Sequence, residues 1–346
     1  MAPGAASRGQ TPPFRASRPG QRRNPGLDFA AESPMIPPVM PDSHAPSGAP
    51  RRLLVIYNPT AGGSRRRRFE AVLADLADLG CPMDVRPTTG PGDAAVFARQ
   101  ADPALHDLVV AAGGDGTINE VVNGLIALAD KAPPLAVLPL GTANVLAAEL
   151  GLDLEPAHIA RVIAEGRIQP VSLGRADAST GEGRAFSLMA GAGFDARVVA
   201  GIDLRVKRLL GKGAYVIGGL CQMARQKPPP LKVTVDGRVY EAASVVVSNA
   251  RFYGGRYLLA PQASLADPLL HVCLFRYGDV LHILRYAMAL QRGVLLREKS
   301  FQIVTGHDIR IEGDPGAPLQ ADGDIIAHLP VRISALPHAL KMVTAG

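Results

Sequence analysis

The pattern of apolar and polar positions changes rhythm once along the chain. In the first half, short apolar runs alternate with stretches whose apolar residues recur at helical spacing. Arg52–Asn58, Met83–Arg86, Leu108–Ala112 and Leu135–Leu138 read as strands, with Leu108–Ala112 the clearest because it is continuous and β-branched. Helices are predicted from about Arg65 to Leu79, stopping at Gly80, then through about Ala101, and again after Asn144. Between the last two, Ile118, Val121, Val122, Leu125 and Ile126 fall on one helical face. Alternating β and α elements of this length imply a parallel sheet with its four strand-to-helix turns gathered along one edge. From about Val171 one apolar run follows another. Lys232–Tyr240 is a hairpin whose Asp236-Gly237 turn suits type I′. Ser244–Ser248, Leu270–Phe275, Asp308–Ile311 and Val331–Ile333 are further strands of a mainly antiparallel domain. Two helical stretches, about Ile202–Gln226 and Val280–Arg297, interrupt it.

The four turns carry the candidate chemistry. In Leu108-Val-Val-Ala-Ala-Gly-Gly-Asp-Gly-Thr-Ile-Asn-Glu120 the glycines let the backbone approach a ligand, and free amides at the helix start offer a place for phosphate. Asp115 runs against that logic. A carboxylate among such amides is repelled by phosphate unless Mg²⁺ bridges them or it takes a proton; the other reading is that it caps the helix. Asn58 can hold the first turn through its amide, and Gly62 and Gly63 leave the next helix entrance open. Arg65 to Arg68 place four positive charges where the helix dipole disfavours them. A nearby anion would relieve that conflict; a solvated arginine run is the alternative. Neither the dinucleotide fingerprint nor the P-loop is present in the central loop, so those two mechanisms are excluded there.

Composition narrows the setting. With 346 residues, 47% of them hydrophobic, the chain can bury a large core and form two domains. Residues 1–50 hold 11 of the 30 prolines and show no periodicity, as expected of a disordered tail. A net charge of +6 suits an anionic partner without choosing among nucleotide, nucleic acid and acidic membrane. Cys81, Cys221 and Cys273 are widely spaced and odd in number, which argues for a reducing compartment rather than a disulfide framework. No apolar run is long enough to span a bilayer and no secretory signal is evident, so a cytoplasmic protein is expected. The basic and apolar residues of Ile202–Gln226 suit either an interfacial surface facing anionic lipid or an ordinary core helix with solvated charges.

Together, Asn58-Pro-Thr-Ala-Gly-Gly63, Gly113-Gly-Asp-Gly-Thr117 and Leu138-Pro-Leu-Gly-Thr-Ala-Asn144 resemble, in order, the motifs of the diacylglycerol kinase and sphingosine kinase family of lipid kinases. The resemblance runs from about Arg52 to the C-terminus. After the tail over 1–50, it implies a doubly wound, mainly parallel α/β nucleotide-binding domain over 51–167 and an antiparallel β-sandwich lipid-binding domain over 168–346, whose last residues return to the first. It implies Mg²⁺ as cofactor and ATP as co-substrate, contacted by Asn58, Gly62, Gly63, Thr88, Gly113, Gly114, Asp115, Gly116, Thr117, Ile118, Asn119, Gly141 and Thr142. The other partners it implies are a lipid alcohol and a membrane surface approached peripherally, with no nucleic acid; a homodimer is compatible with it. Asp195, in Ala192-Gly-Phe-Asp-Ala196, would hold a lipid head group, or is a surface carboxylate at a strand end.

The sequence departs from the family at two places. Where the family carries Asp-Gly-Glu, with Glu as base on the lipid hydroxyl, this chain has Asp322-Gly-Asp324, so Asp324 is the expected base and Asp115 its substitute. Ser264, Asp267 and Leu269 correspond to a structural Mg²⁺ site in which Pro268 replaces the usual glycine. The expected reaction is transfer of the γ-phosphoryl group of ATP to a lipid hydroxyl. The alternatives are a catalytically weakened nucleotide- or lipid-binding protein, motivated by Asp324 and Pro268, and an NAD kinase, since the Gly113–Thr117 motif is shared with that class.

Overall fold

The computed structural model describes residues 49–60, 63–178, 183–194, 196 and 229–345. The expected disordered tail up to residue 48, Gly62, Asp195 and the helix expected over Ile202–Gln226 lie outside the described residues. Chain order begins with β1 (Leu53–Tyr57), α1 (Gly63–Asp78), β2 (Met83–Pro87), α2 (Asp93–Arg99), β3 (Leu108–Gly113), α3 (Asp115–Ile126) and β4 (Leu135–Pro139). Parallel pairing places these strands in the order β2-β1-β3-β4. The interior strands β3 and β4 are buried at every residue, whereas β2, at the edge, keeps Asp84 and Arg86 half-exposed and paired with each other. Continuous burial is what helices on both faces of a parallel sheet produce. From β1 the chain steps one way to β2, then back across to β3, so right-handed crossovers put α1 and α2 on opposite faces. Accordingly α2 packs with α3, and α1 packs with α5 (Pro156–Glu165), which follows the short α4 (Val145–Glu149).

The second half forms a β-sandwich. β5 (Arg167–Ala178) and the final strand β18 (Val331–Thr344) make a long antiparallel ribbon that joins the two halves. At one end, β18 lies parallel to β4 through Met342 and Leu135, so the chain end returns to the first sheet. At the other, it pairs with β15 (Asp308–Glu312), which continues to β8 (Leu231–Val235) and β9 (Arg238–Ala242). The facing sheet runs β14 (Phe301–Gly306), β13 (Leu270–Phe275), β10 (Ser244–Ser248), β7 (Met189–Ala192), β16 (Pro318–Ala321) and β17 (Asp324–His328). Val233, Ile309, Ile311 and Ile333 meet Val245, Val247, Val272 and Leu319 between the layers. Short β6 (Arg184–Phe186) hangs on β5, and the hairpin β11 (Phe252–Tyr253) and β12 (Tyr257–Leu258) stands apart. A last helix, α6 (Val280–Gln291), starts at Asp279, whose carboxylate accepts the His282 amide.

The structure corrects some expected boundaries. The helix expected to reach Arg297 ends at Gln291; Gly293 takes φ 67°, and a separate 3-10 turn spans Leu295–Arg297. The strand expected over Val331–Ile333 runs on to Thr344, through Pro337, because a register shift between Leu336 and Leu340 accommodates the proline without breaking the ribbon. The type I′ turn at Asp236-Gly237 is present, with φ of 44° and 83°.

Candidate active site

The carboxyl ends of β1, β3 and β4 deliver three loops to one place, and hydrogen bonds lock them together. Asn58 closes the first turn by accepting the Thr60 amide and hydroxyl at its Oδ1, while its Nδ2 donates to Thr117 Oγ1 at 3.0 Å. The third loop is pinned to the second where the Leu140 amide donates to the Gly113 carbonyl at 2.8 Å. Gly141 then passes so close to Gly114 that a Cβ on Gly141 would fall 2.8 Å from the Gly114 Cα. Only glycine permits that approach. From the other side, Arg65 donates to Thr142 Oγ1 and Arg68 to the Pro139 carbonyl. Neither guanidinium has a carboxylate partner among the described residues, so their charge remains on the rim of the three loops. Thr88 is buried behind the first loop, its amide on the Tyr57 carbonyl.

Gly114 is the N-cap of α3, and Asp115, Gly116 and Thr117 form its first turn. The Asp115 carboxylate turns to the start of α4, where it accepts the Leu146 amide at 3.3 Å. Burial pushes its pKa up, and amides of Leu146, Val145 and Asn144 pull the other way. Asn144 opens α4 in a left-handed conformation, φ 47°, and its buried Oδ1 has no hydrogen-bond partner among the described residues. A carboxylate and an orphaned amide oxygen therefore belong to the same pair of loops.

One turn further along α3, Ile118 points into the core and Asn119 is buried at the boundary with the sandwich. Asn119 Nδ2 donates to the Ala185 carbonyl and, at 2.8 Å, to Asp322 Oδ2. Asp322 also accepts the Ser187 amide and hydroxyl and the amides of Leu188 and Met189. Burial pushes this carboxyl up as well, against the charge-stabilising amides of Met189, Ser187 and Leu188. Asp322 and Gly323 make the tight turn between β16 and β17 with φ of 47° and 94°, which sets Asp324 at the start of β17. Asp324 is exposed, and Arg184 reaches it at 3.2 Å while donating through Nε to Asn119 Oδ1 at 3.0 Å. A single relay of contacts thus leads from the Gly113–Thr117 loop to Asp324.

The turn expected to hold a structural metal carries hydrogen bonds of its own. Its Asp267 Oδ1 accepts the Leu269 amide, and Ser264 accepts the Asp267 amide at its carbonyl and the Ala266 amide at its hydroxyl. One carboxylate stands there alone, and among the described residues no three His, Cys, Asp or Glu side chains gather.

Sequence reasoning gave no role to Arg184 or Asn144 and quoted Asp322 only as part of a motif. Asp-Gly between two β runs signals a hairpin, so the Asp322 turn was readable. Arg184 carries no local signal.

This arrangement is matched by known proteins. Residues 52–176 match the family described as diacylglycerol kinase catalytic domain, and residues 189–344 the YegS C-terminal NAD kinase beta sandwich-like domain. The diacylglycerol kinase of Bacillus subtilis (strain 168) is 29% identical, covering 81% of this chain and 92% of its own length. That of Mycobacterium tuberculosis (strain ATCC 25618 / H37Rv) is 30% identical over 84% of this chain and 94% of its own length. The crystal structure of a diacylglycerol kinase from Bacillus anthracis str. Sterne superposes with a TM-score of 0.69 at 26% identity, covering 85% of this chain and 97% of that one. With both halves matched and the glycine loops joined as described, the chain belongs to the diacylglycerol kinase family of lipid kinases.

Proposed function

We propose that this kinase transfers the γ-phosphoryl group of ATP to the hydroxyl of a lipid alcohol such as diacylglycerol or a sphingoid base, with Asp324 as the base. The hydroxyl oxygen forms a bond to the γ-phosphorus, the bond to the β-phosphate oxygen breaks with its electron pair leaving on ADP, and the hydroxyl proton passes to the Asp324 carboxylate. The observation that carries this reading is the relay Asn119–Arg184–Asp324, which ties a carboxylate on the sandwich to the helix that starts in the glycine loop. Arg184 compensates for the shorter side chain of Asp324 by fixing its position. Amides of the Gly113–Thr117 loop are disposed to stabilise negative charge on the phosphates, and Arg65 and Arg68 add positive charge at the rim.

An all-oxygen donor set suits Mg²⁺, and Asp115 with the unpartnered Asn144 Oδ1 would hold it. When bound, the ion would neutralise phosphate charge. The Ser264, Asp267 and Leu269 turn offers a single carboxylate, that of Asp267.

Asp324→Ala should lower turnover on lipid about 10²–10⁴-fold while ATP binding persists, the loss typical of a missing general base. Asp324→Glu should retain activity. Both are read by transfer of labelled phosphate to lipid in mixed micelles, and full turnover in Asp324→Ala would refute the base assignment.

A further inference from the structure

Helix α6 has two apolar faces. One holds Ile283, Tyr286 and Ala289 in the core, where Tyr286 packs edge-on to Phe275. The other carries Leu281, Leu284 and Met288 at helical spacing into solvent, Leu281 with 74% of its surface exposed. Just beyond the helix, Leu296 is 61% exposed. A helix that is apolar on both sides and wet on one is the pattern of a surface that meets something less polar than water.

The charges around this face that lack a partner are cationic; the exposed Asp279 at the helix start is paired with His282 at 2.7 Å. Arg292, Arg297 and Lys299 are exposed and have no carboxylate partner among the described residues, and the neighbouring Glu298 is already bound by Arg285 at 2.7 Å. Apolar side chains flanked by unpaired cations suit an anionic bilayer, where the former enter the acyl boundary and the latter meet lipid phosphates.

The face is also connected to the site. α6 packs on β12, which carries the exposed Tyr257 and Leu258; β12 pairs with β11; and β11 packs on α4, the helix that receives Asp115. Arg251, just before β11, fixes this junction by an ion pair to the buried Glu149 of α4 at 2.8 Å.

We propose that the outward face of α6, with Leu296 and the cations Arg292, Arg297 and Lys299, is the surface by which this protein docks on anionic membranes. This rests on the lipid-kinase reading for its purpose, since a lipid alcohol is met at a bilayer surface, but its test does not depend on that reading. No helix among the described residues is long and apolar enough to cross a membrane.

The test is co-sedimentation of the full chain with phosphatidylcholine vesicles, with and without phosphatidylglycerol. The wild type should bind the anionic vesicles. The double variants Leu281→Ser/Leu284→Ser and Arg292→Gln/Arg297→Gln should each bind about tenfold more weakly, and salt should weaken the wild type more than the arginine variant. Phosphorylation of a short-chain lipid alcohol dispersed as monomer should be unchanged in both variants, while phosphorylation of the same head group embedded in vesicles falls in parallel with binding. Equal vesicle binding by wild type and variants would overturn the proposal. So would a shift of the leucine variant from dimer to monomer with vesicle binding intact, which would make the face a contact between two copies. Failure of the wild type to phosphorylate the monomeric lipid would instead strike the lipid-kinase reading and leave the vesicle result to stand or fall by itself.

Discussion

On the α/β side, the loops at Gly113–Thr117 and Leu140–Thr142 are held backbone against backbone, with Gly141 lying on Gly114 and the Leu140 amide on the Gly113 carbonyl. On the sandwich side, the Asp322–Asp324 turn is held by one carboxylate that gathers donors from Asn119, Ser187, Leu188 and Met189. The first arrangement brings two loops together through their backbones, with no side chain between them. The second encloses a charge to define where a hairpin tip sits relative to a helix of the other half. The proposed nucleotide loops meet at glycines, whereas the part that carries the proposed base is built around a polar anchor.

The sharpest way to break this contrast is to remove the anchor. Asp322→Ala leaves the Ser187, Leu188 and Met189 amides and one N–H of Asn119 Nδ2 without their acceptor, and each buried donor left unsatisfied costs about 1–3 kcal/mol. Thermal denaturation should show that loss, and turnover should fall with it because Asp324 is no longer located. A variant as stable as the wild type would mean that the turn is fixed by its own backbone and not by Asp322.

A smaller effect is expected on the loop side. Gly141→Ala places a Cβ 2.7 Å from Asn144 Oδ1 and 2.8 Å from the Gly114 Cα, so the two loops must separate. Such overpacking costs about 1–3 kcal/mol. On the proposed reading these loops hold the nucleotide, so KM for ATP should rise more than Tm falls. A fall in Tm with KM unchanged would show that the close approach serves folding alone.

The contrast also explains what the sequence revealed. Strand, glycine turn and helix are local patterns, so β1, β3, α3 and β4 were legible to within a residue or two, and the loops they share followed from topology. Ser244–Ser248 and Leu270–Phe275 coincide with their expected runs because buried strands at the centre of a sandwich sheet are apolar throughout. β6, β16 and β17 were not legible. Each is five residues or fewer and takes its conformation from neighbours distant in the chain, β16 from β7 and β6 from β5. Arg184 lies 140 positions from Asp324 and 65 from Asn119, and no periodicity marks it. The Asp322-Gly323 turn was readable as a hairpin signal, but the role of Asp324 was visible only through the resemblance to a family, and the anchoring by Asp322 only once the two halves were seen in contact.

Asp115 belongs to the loop side yet is partly enclosed like Asp322, and it separates a ligand-binding role from a capping one. Burial raises its pKa in the folded protein above the ordinary aspartate value, against the amides of Leu146, Val145 and Asn144. A carboxyl raised in this way favours the folded state fully only below its unfolded pKa of about 3.9, and that contribution is lost as pH rises through the folded value. Asp115→Asn removes the titration and can keep the bond from the Leu146 amide. In the absence of nucleotide and Mg²⁺, the variant's Tm minus that of the wild type should be positive at neutral pH and should shrink as the pH is lowered toward about 4. Adding Mg²⁺ and ATP should reverse the order at neutral pH, because a cation beside the carboxylate favours its charged form. If the variant is instead the less stable protein at neutral pH without ligand, the carboxylate acts as a favourable cap on α4, and its charge serves the fold before it serves phosphate.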